Sequence, residues 1–97
     1  MTSSSPLGRL GGAILGDNYP DPFTEQTTIP YKLPEETKGK IIITDVLGRT
    51  VEVITIVQEE NEIELKTNDW ENGIYYYSLI ISGKVIETKK MILQTEK

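Results

Sequence analysis

The sequence predicts an all-β fold, and three observations predict it. From Thr27 onward, β-branched and aromatic residues gather in short runs. Pro30, Pro34 and a series of glycines interrupt those runs, so no helical apolar spacing persists across them. Turn chemistry recurs at near-regular spacing, at Pro34, Asp45 to Gly48, Asn72-Gly73 and Ser82-Gly83. Short antiparallel strands of this kind build either a sandwich or a barrel, and the pattern alone does not separate them.

In residues 28–33, the two-residue period puts Ile29, Tyr31 and Leu33 on one face. Pro30 lacks a ladder donor and points to an edge strand, which Pro34 ends. The next strand covers residues 38–44, with Ile41 and Ile43 toward the core and Ile42 on the opposite face. Asp45 suits the first position of a tight turn, because its carboxylate reaches the backbone two residues on, and Gly48 suits its exit. Residues 49–57 then return as the second arm of a hairpin. After a polar turn at Gln58 to Asn61, Glu62-Ile63-Glu64-Leu65-Lys66 alternates, with Ile63 and Leu65 inward and charges outward. A loop closed by Asn72-Gly73 leads to two final strands, residues 74–81 and 85–93, joined by Ser82-Gly83. The count is six or seven strands. The expected core is Ile29, Tyr31, Leu33, Ile41, Ile43, Val51, Ile63, Leu65, Tyr75, Tyr77 and Leu79.

Composition narrows the function. Ninety-seven residues with 37% hydrophobic content make one small domain, since a chain this short buries only about 60 to 65% of its unfolded surface. Cysteine is absent, so neither a disulfide nor a thiolate nucleophile or ligand is available. Histidine is absent too, which removes the commonest general base and metal ligand, and no constellation supports an enzyme. The net charge of −5 argues against nucleic acid as a partner. Residues 1–16 do not read as a secretory signal: Arg9 is the only basic residue there, and the apolar run at Ala13-Ile14-Leu15 is short. Thr2-Ser3-Ser4-Ser5-Pro6 reads as linker or cloning remnant, and residues 1–15 are expected to be poorly ordered.

Three segments stand out: Asn18-Tyr19-Pro20-Asp21-Pro22-Phe23, Asp45-Val46-Leu47-Gly48-Arg49, and Gly73-Ile74-Tyr75-Tyr76-Tyr77 with Lys89-Lys90-Met91 beyond it. Each also has a plain structural reading. The prolines stiffen the first segment while Tyr19 and Phe23 serve as core anchors. Asp45 and Gly48 form a turn. Tyr75 and Tyr77 face the core and Tyr76 faces away, with the Tyr75 hydroxyl seated on nearby backbone and Trp70 as a lid over the end of the core. Asn68, Asp69, Glu71 and Asn72 are rich in oxygen but lack a calcium-loop rhythm, so no metal site and no cofactor are assigned. Tyr76 with Trp70 is the alternative, a stacked platform for sugar. Lys89 and Lys90 on a last strand discourage edge pairing.

In their order and spacing, these segments resemble the C-terminal sorting domain, type A, of the bacterial type IX secretion system, the Por secretion tail family. The resemblance runs from residue 18 to about residue 93. It implies an immunoglobulin-like antiparallel β-sandwich of about seven strands over residues 17–97, preceded by a flexible linker at residues 1–16. Asn18, Tyr19, Pro20, Pro22, Phe23, Asp45, Gly48, Arg49, Gly73 and Tyr75 stand at the family motif positions. Lys89, Lys90, Met91, Ile92 and Leu93 stand where the outer-membrane translocon is thought to read the domain, and that requires this end to be accessible. The family's cleavage by a surface sortase falls ahead of the first motif, here within residues 10–17 and best at Gly11, Gly12 and Ala13.

The resemblance thus implies a non-enzymatic address for an N-terminal passenger protein exported by a Bacteroidetes-type bacterium, in transit through the periplasm to the cell surface or beyond. It also implies that this chain is a C-terminal fragment of a longer precursor with its export signal upstream. The alternative is a structural or carbohydrate-contacting immunoglobulin-like module of a secreted protein, since a sandwich alone does not fix function.

Overall fold

The computed structural model describes residues 12–58 and 60–95. Seven strands follow in order: β1 (Ile14–Leu15), β2 (Gln26–Lys32), β3 (Lys38–Thr44), β4 (Thr50–Val57), β5 (Glu62–Lys66), β6 (Gly73–Ile81) and β7 (Lys84–Leu93). They form two antiparallel sheets, one in the order β1-β2-β5 and the other β4-β3-β6-β7. This is the expected antiparallel β-sandwich, and no helix occurs among the described residues.

Local chemistry explains the two tightest connections. In the β3–β4 turn the Asp45 carbonyl accepts the Gly48 N–H at 3.0 Å, and the Asp45 N–H donates to the Arg49 carbonyl at 3.0 Å. Gly48 sits at φ +84°, a conformation that costs a side-chain-bearing residue about 1 kcal/mol or more. Between β6 and β7, Ser82 and Gly83 lie at φ +53° and +78°, the paired positive values of a type I′ hairpin that matches strand twist.

The strand alternation fills the space between the sheets. Ile29 and Tyr31 of β2, Ile41 and Ile43 of β3, Leu65 of β5, and Tyr75, Tyr77 and Leu79 of β6 are all buried, with Leu33 just beyond β2. Ile56, Ile81, Met91 and Leu93 join them. The Tyr31 hydroxyl spans the layers and donates to the Val57 carbonyl at 3.0 Å.

Several expectations are corrected. Val51 and Ile63 are only partly buried against the core, because β4 and β5 are the outer strands of their sheets. β2 is a middle strand rather than an edge. The Pro30 carbonyl accepts the Gly16 N–H at 2.9 Å, so the missing Pro30 donor faces the same side, where β1 has already ended at Leu15. The flexible leader is also shorter than expected. Ile14 and Leu15 pair with Lys32 and Tyr31, and Ala13 and Leu15 are each 2% exposed, so the fold begins by Ala13. The remainder of that leader, residues 1–11, lies outside the described residues.

Candidate functional site

The opening motif bridges the two sheets, from Tyr19 paired with Thr28 of β2 to Phe23 paired with Leu93 of β7. The Asn18 N–H donates to the Tyr77 hydroxyl oxygen at 2.9 Å, and that hydroxyl donates to the Gly16 carbonyl at 2.9 Å. The Asn18 amide Nδ2 donates to Thr27 Oγ1 at 3.0 Å and to the Pro20 carbonyl at 3.3 Å. Thr27 Oγ1 in turn donates to that same carbonyl at 3.0 Å. Asn18 and Thr27 are buried polar groups, and these bonds offset the desolvation that burial imposes on them. Burial raises the Tyr77 hydroxyl above its ordinary pKa. The Tyr19–Pro20 and Asp21–Pro22 peptide bonds are both cis.

Tyr19 is not the core anchor it was expected to be. Its backbone pairs with Thr28 in both directions, at 2.9 and 2.8 Å, and antiparallel partners share a face. Thr28 lies between the inward Thr27 and Ile29, so Tyr19 points outward and is 53% exposed. Its hydroxyl donates to Glu62 Oε1 at 3.1 Å, and that bond to a carboxylate raises its pKa. Phe23 does anchor, at 1% exposure.

Phe23 also joins the opening motif to the closing one. It forms a parallel bridge with Leu93: the Phe23 N–H donates to the Ile92 carbonyl at 2.9 Å, and the Phe23 carbonyl accepts the Gln94 N–H at 2.8 Å. Asp21 Oδ1 takes the Ile92 N–H at 2.9 Å. The end of β7 is thus bonded to β6 on one side and to residues 21–23 on the other. The expectation of a last strand with an accessible edge is corrected there, since Ile92 spends both backbone groups on the opening motif.

The side chains of residues 89–93 divide between two faces. Met91 and Leu93 are core residues. Lys89 lies half-buried on the same side and pairs with Asp17 Oδ1 at 3.0 Å and Glu87 Oε2 at 3.5 Å. The Asp17 bond leads the causes that raise the Lys89 pKa. Lys90 and Ile92 face outward beside their cross-strand partners Tyr76 and Ile74, which are 38% and 37% exposed. Of the five residues expected at the reading end, Lys90 and Ile92 therefore present side chains to the outer face of the sheet.

The middle motifs meet at the N-terminal end of β6, where Gly73 pairs with Leu93. Asp45 Oδ1 accepts the N–H groups of Leu47 and Arg49 at 2.9 and 3.0 Å, and Asp45 Oδ2 accepts Arg49 Nε at 2.8 Å. Burial alone pushes the Asp45 carboxyl up, but the Arg49 and Leu47 bonds outweigh it and hold the group below its ordinary value. Tyr75 donates to the Glu71 carbonyl at 2.6 Å, the backbone seat expected of it, and burial followed by the charges of Glu71 and Asp45 raises its pKa. Trp70 packs on Tyr75 with ring centroids 5.0 Å apart. Asp45, Arg49, Trp70, Gly73 and Tyr75 line one open groove of about 640 Å³. Tyr76 lies on the other face of β6 from Tyr75, so it forms no common platform with Trp70.

Two ties went unseen in the sequence. Asn72 Oδ1 accepts the Thr95 N–H and hydroxyl at 2.8 and 2.9 Å, fixing the loop before β6 to the residues after β7. Thr67, 1% exposed, donates its N–H to the Glu25 carbonyl at 3.0 Å. Thr27 had a usable signal, since the two-residue period of Ile29 and Tyr31 extends back to it. Of the proposed cleavage residues, Gly12 is exposed, Ala13 is buried, and Gly11 lies outside the described residues.

A family model described as a secretion system C-terminal sorting domain matches residues 17–94, from the ion pair of Asp17 through the Gln94 bond to Phe23. The chain belongs to the type IX secretion C-terminal sorting domains. Comparison with curated proteins and with solved structures gives no match. Membership assigns the sorting domain to secretion to the cell surface or extracellular space, in partnership with the type IX machinery and an N-terminal passenger. The match spans all the motif segments, including the opening and closing motifs that the sorting domain brings together at Phe23 and Ile92.

Proposed function

We propose that this sorting domain is a non-catalytic address that carries its passenger from the periplasm through the outer-membrane translocon of a Bacteroidetes-type cell. The translocon reads residues 89–93. A surface sortase then separates the domain from the passenger and joins the passenger to an anionic lipopolysaccharide. The observation that carries this reading is the closure of residues 21–23 over Ile92 and Gln94. Backbone bonded on both sides is held in one conformation, so the outward pair Lys90 and Ile92 is displayed without an ordering cost at binding.

The cut falls on the N-terminal side of Ala13. Proteolysis concentrates in backbone that lacks burial and hydrogen bonds, whereas Ala13 and Leu15 are buried and Ile14 and Leu15 are paired. A fusion of residues 12–97 behind a periplasmic reporter tests the address. In a host with type IX secretion, the reporter is expected at the surface. A Lys90→Glu fusion with an unchanged melting temperature is expected to stay in the periplasm. A folded, unaltered fusion that stays in the periplasm overturns the reading.

A further inference from the structure

The side of the sandwich formed by β4 and β5, opposite β7 in the four-stranded sheet, is open. β4 and β5 are the terminal strands of their sheets on that side, and among the described residues neither has a partner along its outer edge. β4 is eight residues long and carries no proline or lysine, and Glu52 is its one charge. It therefore lacks most of the devices that keep an edge from accepting another strand. Between β4 and β5 lies an open cleft of about 480 Å³. Its floor includes Ile54 and Ile63, both half-buried against the core. Glu52 and Glu60 border it, with Glu62 and Glu64 on its rim where Tyr19 and Gln26 bond them, against Lys66 as the single cation among the lining residues.

We propose that this side is a docking groove for an extended, basic strand of a partner protein, which adds to β4 and lengthens the four-stranded sheet. Strand addition supplies main-chain hydrogen bonds from the edge and specificity from alternate side chains. Here one set of alternate side chains, lysine or arginine, enters the cleft and meets Glu52 beside Ile54. The other set, apolar, lies beside Val53, which is 51% exposed on the outer face of β4. The charge also decides against a second copy of this chain as the occupant: pairing β4 with β4 sets glutamate-lined walls beside each other, and like charges oppose association. The groove is separate from residues 89–93, so the proposal stands or falls independently of how the secretion machinery reads that end.

A short capped peptide alternating lysine with valine is the probe, titrated into the full 97-residue chain with amide shifts and hydrogen exchange as the readout. Shifts and slowed exchange are expected in β4 and β5, with affinity falling as salt rises. The Glu52→Lys, Glu60→Lys double variant is expected to bind at least about tenfold more weakly with its melting temperature retained. Should that variant fail to fold, the salt dependence and the shift map of the unaltered chain still decide. Shifts confined to β7, equal binding of the same peptide with glutamate in place of lysine, or sedimentation of the free chain as a dimer paired through β4 each overturn the proposal.

Discussion

The Tyr77 hydroxyl accepts the backbone N–H of Asn18 at 2.9 Å across 59 positions of sequence, so a core strand of one sheet holds the segment that opens the domain. The same hydroxyl donates to Gly16, which places the whole approach to the motif under one side chain. Tyr77→Phe keeps the ring and leaves the Asn18 N–H without its partner in a buried place. The expected loss is about 1 to 3 kcal/mol, read by urea unfolding, with faster amide exchange at Asn18. An unchanged exchange rate there counts against the link.

Ile43 is fully buried on β3, paired with Tyr77 on one side and Glu52 on the other. Ile43→Ala is expected to cost about 2 to 5 kcal/mol, since it removes apolar contact and leaves a cavity. That is a large share of the roughly 5 to 15 kcal/mol that holds a small domain. Val53 on neighbouring β4 is 51% exposed, and Val53→Ala is expected to stay within about 0.5 kcal/mol of the parent. Thermal melts of the two variants make the comparison.

Asp45 gives the domain an acid-sensitive contribution. Its folded pKa is lowered from the ordinary 3.8, so the unfolded state binds more protons wherever the two differ, and stability rises with pH there. The contribution is fully present above 3.8 and is lost as pH falls through the lowered folded value. Urea unfolding followed from neutral to acid pH is expected to show a smaller acid loss for Asp45→Asn than for the parent. Equal acid loss in both removes Asp45 from the account.

Phe23→Ala tests the bridge to the closing strand. Loss of a buried aromatic costs about 3 to 5 kcal/mol. The Gln94 N–H bonded to the Phe23 carbonyl is expected to exchange faster than amides in the middle of β6. Uniform acceleration across β6 and β7 instead marks a general loss of stability rather than a released end.

Much of this was legible because it is governed locally. The period of two placed Ile41 and Ile43 inward and Ile42 outward, and likewise Tyr75 and Tyr77 against Tyr76. Turn chemistry placed Asp45 and Gly48. What was not legible depends on partners far along the chain. Tyr19 reads as an aromatic anchor until its register opposite Thr28 is known, and register is not contained in residues 18–23. Ile14 and Leu15 are too few to show any period, so their burial follows only from β2 lying beside them. The parallel bridge of Phe23 to Leu93 joins segments whose bonded residues Asp21 and Ile92 stand 71 positions apart, and no spacing rule foretells it.

That last contact gives the domain a test of its own completeness. The strand carrying the closing motif is the last of the seven in chain order, and the opening motif has nothing to close over until it exists. A chain cut short after Ile81 keeps the β3–β4 hairpin and its Asp45 turn. It loses β7, the partners of Phe23 and Asp21, and the outward pair Lys90 and Ile92. An interrupted product therefore carries neither a closed sandwich nor the outward pair proposed as the address, and one truncation removes both.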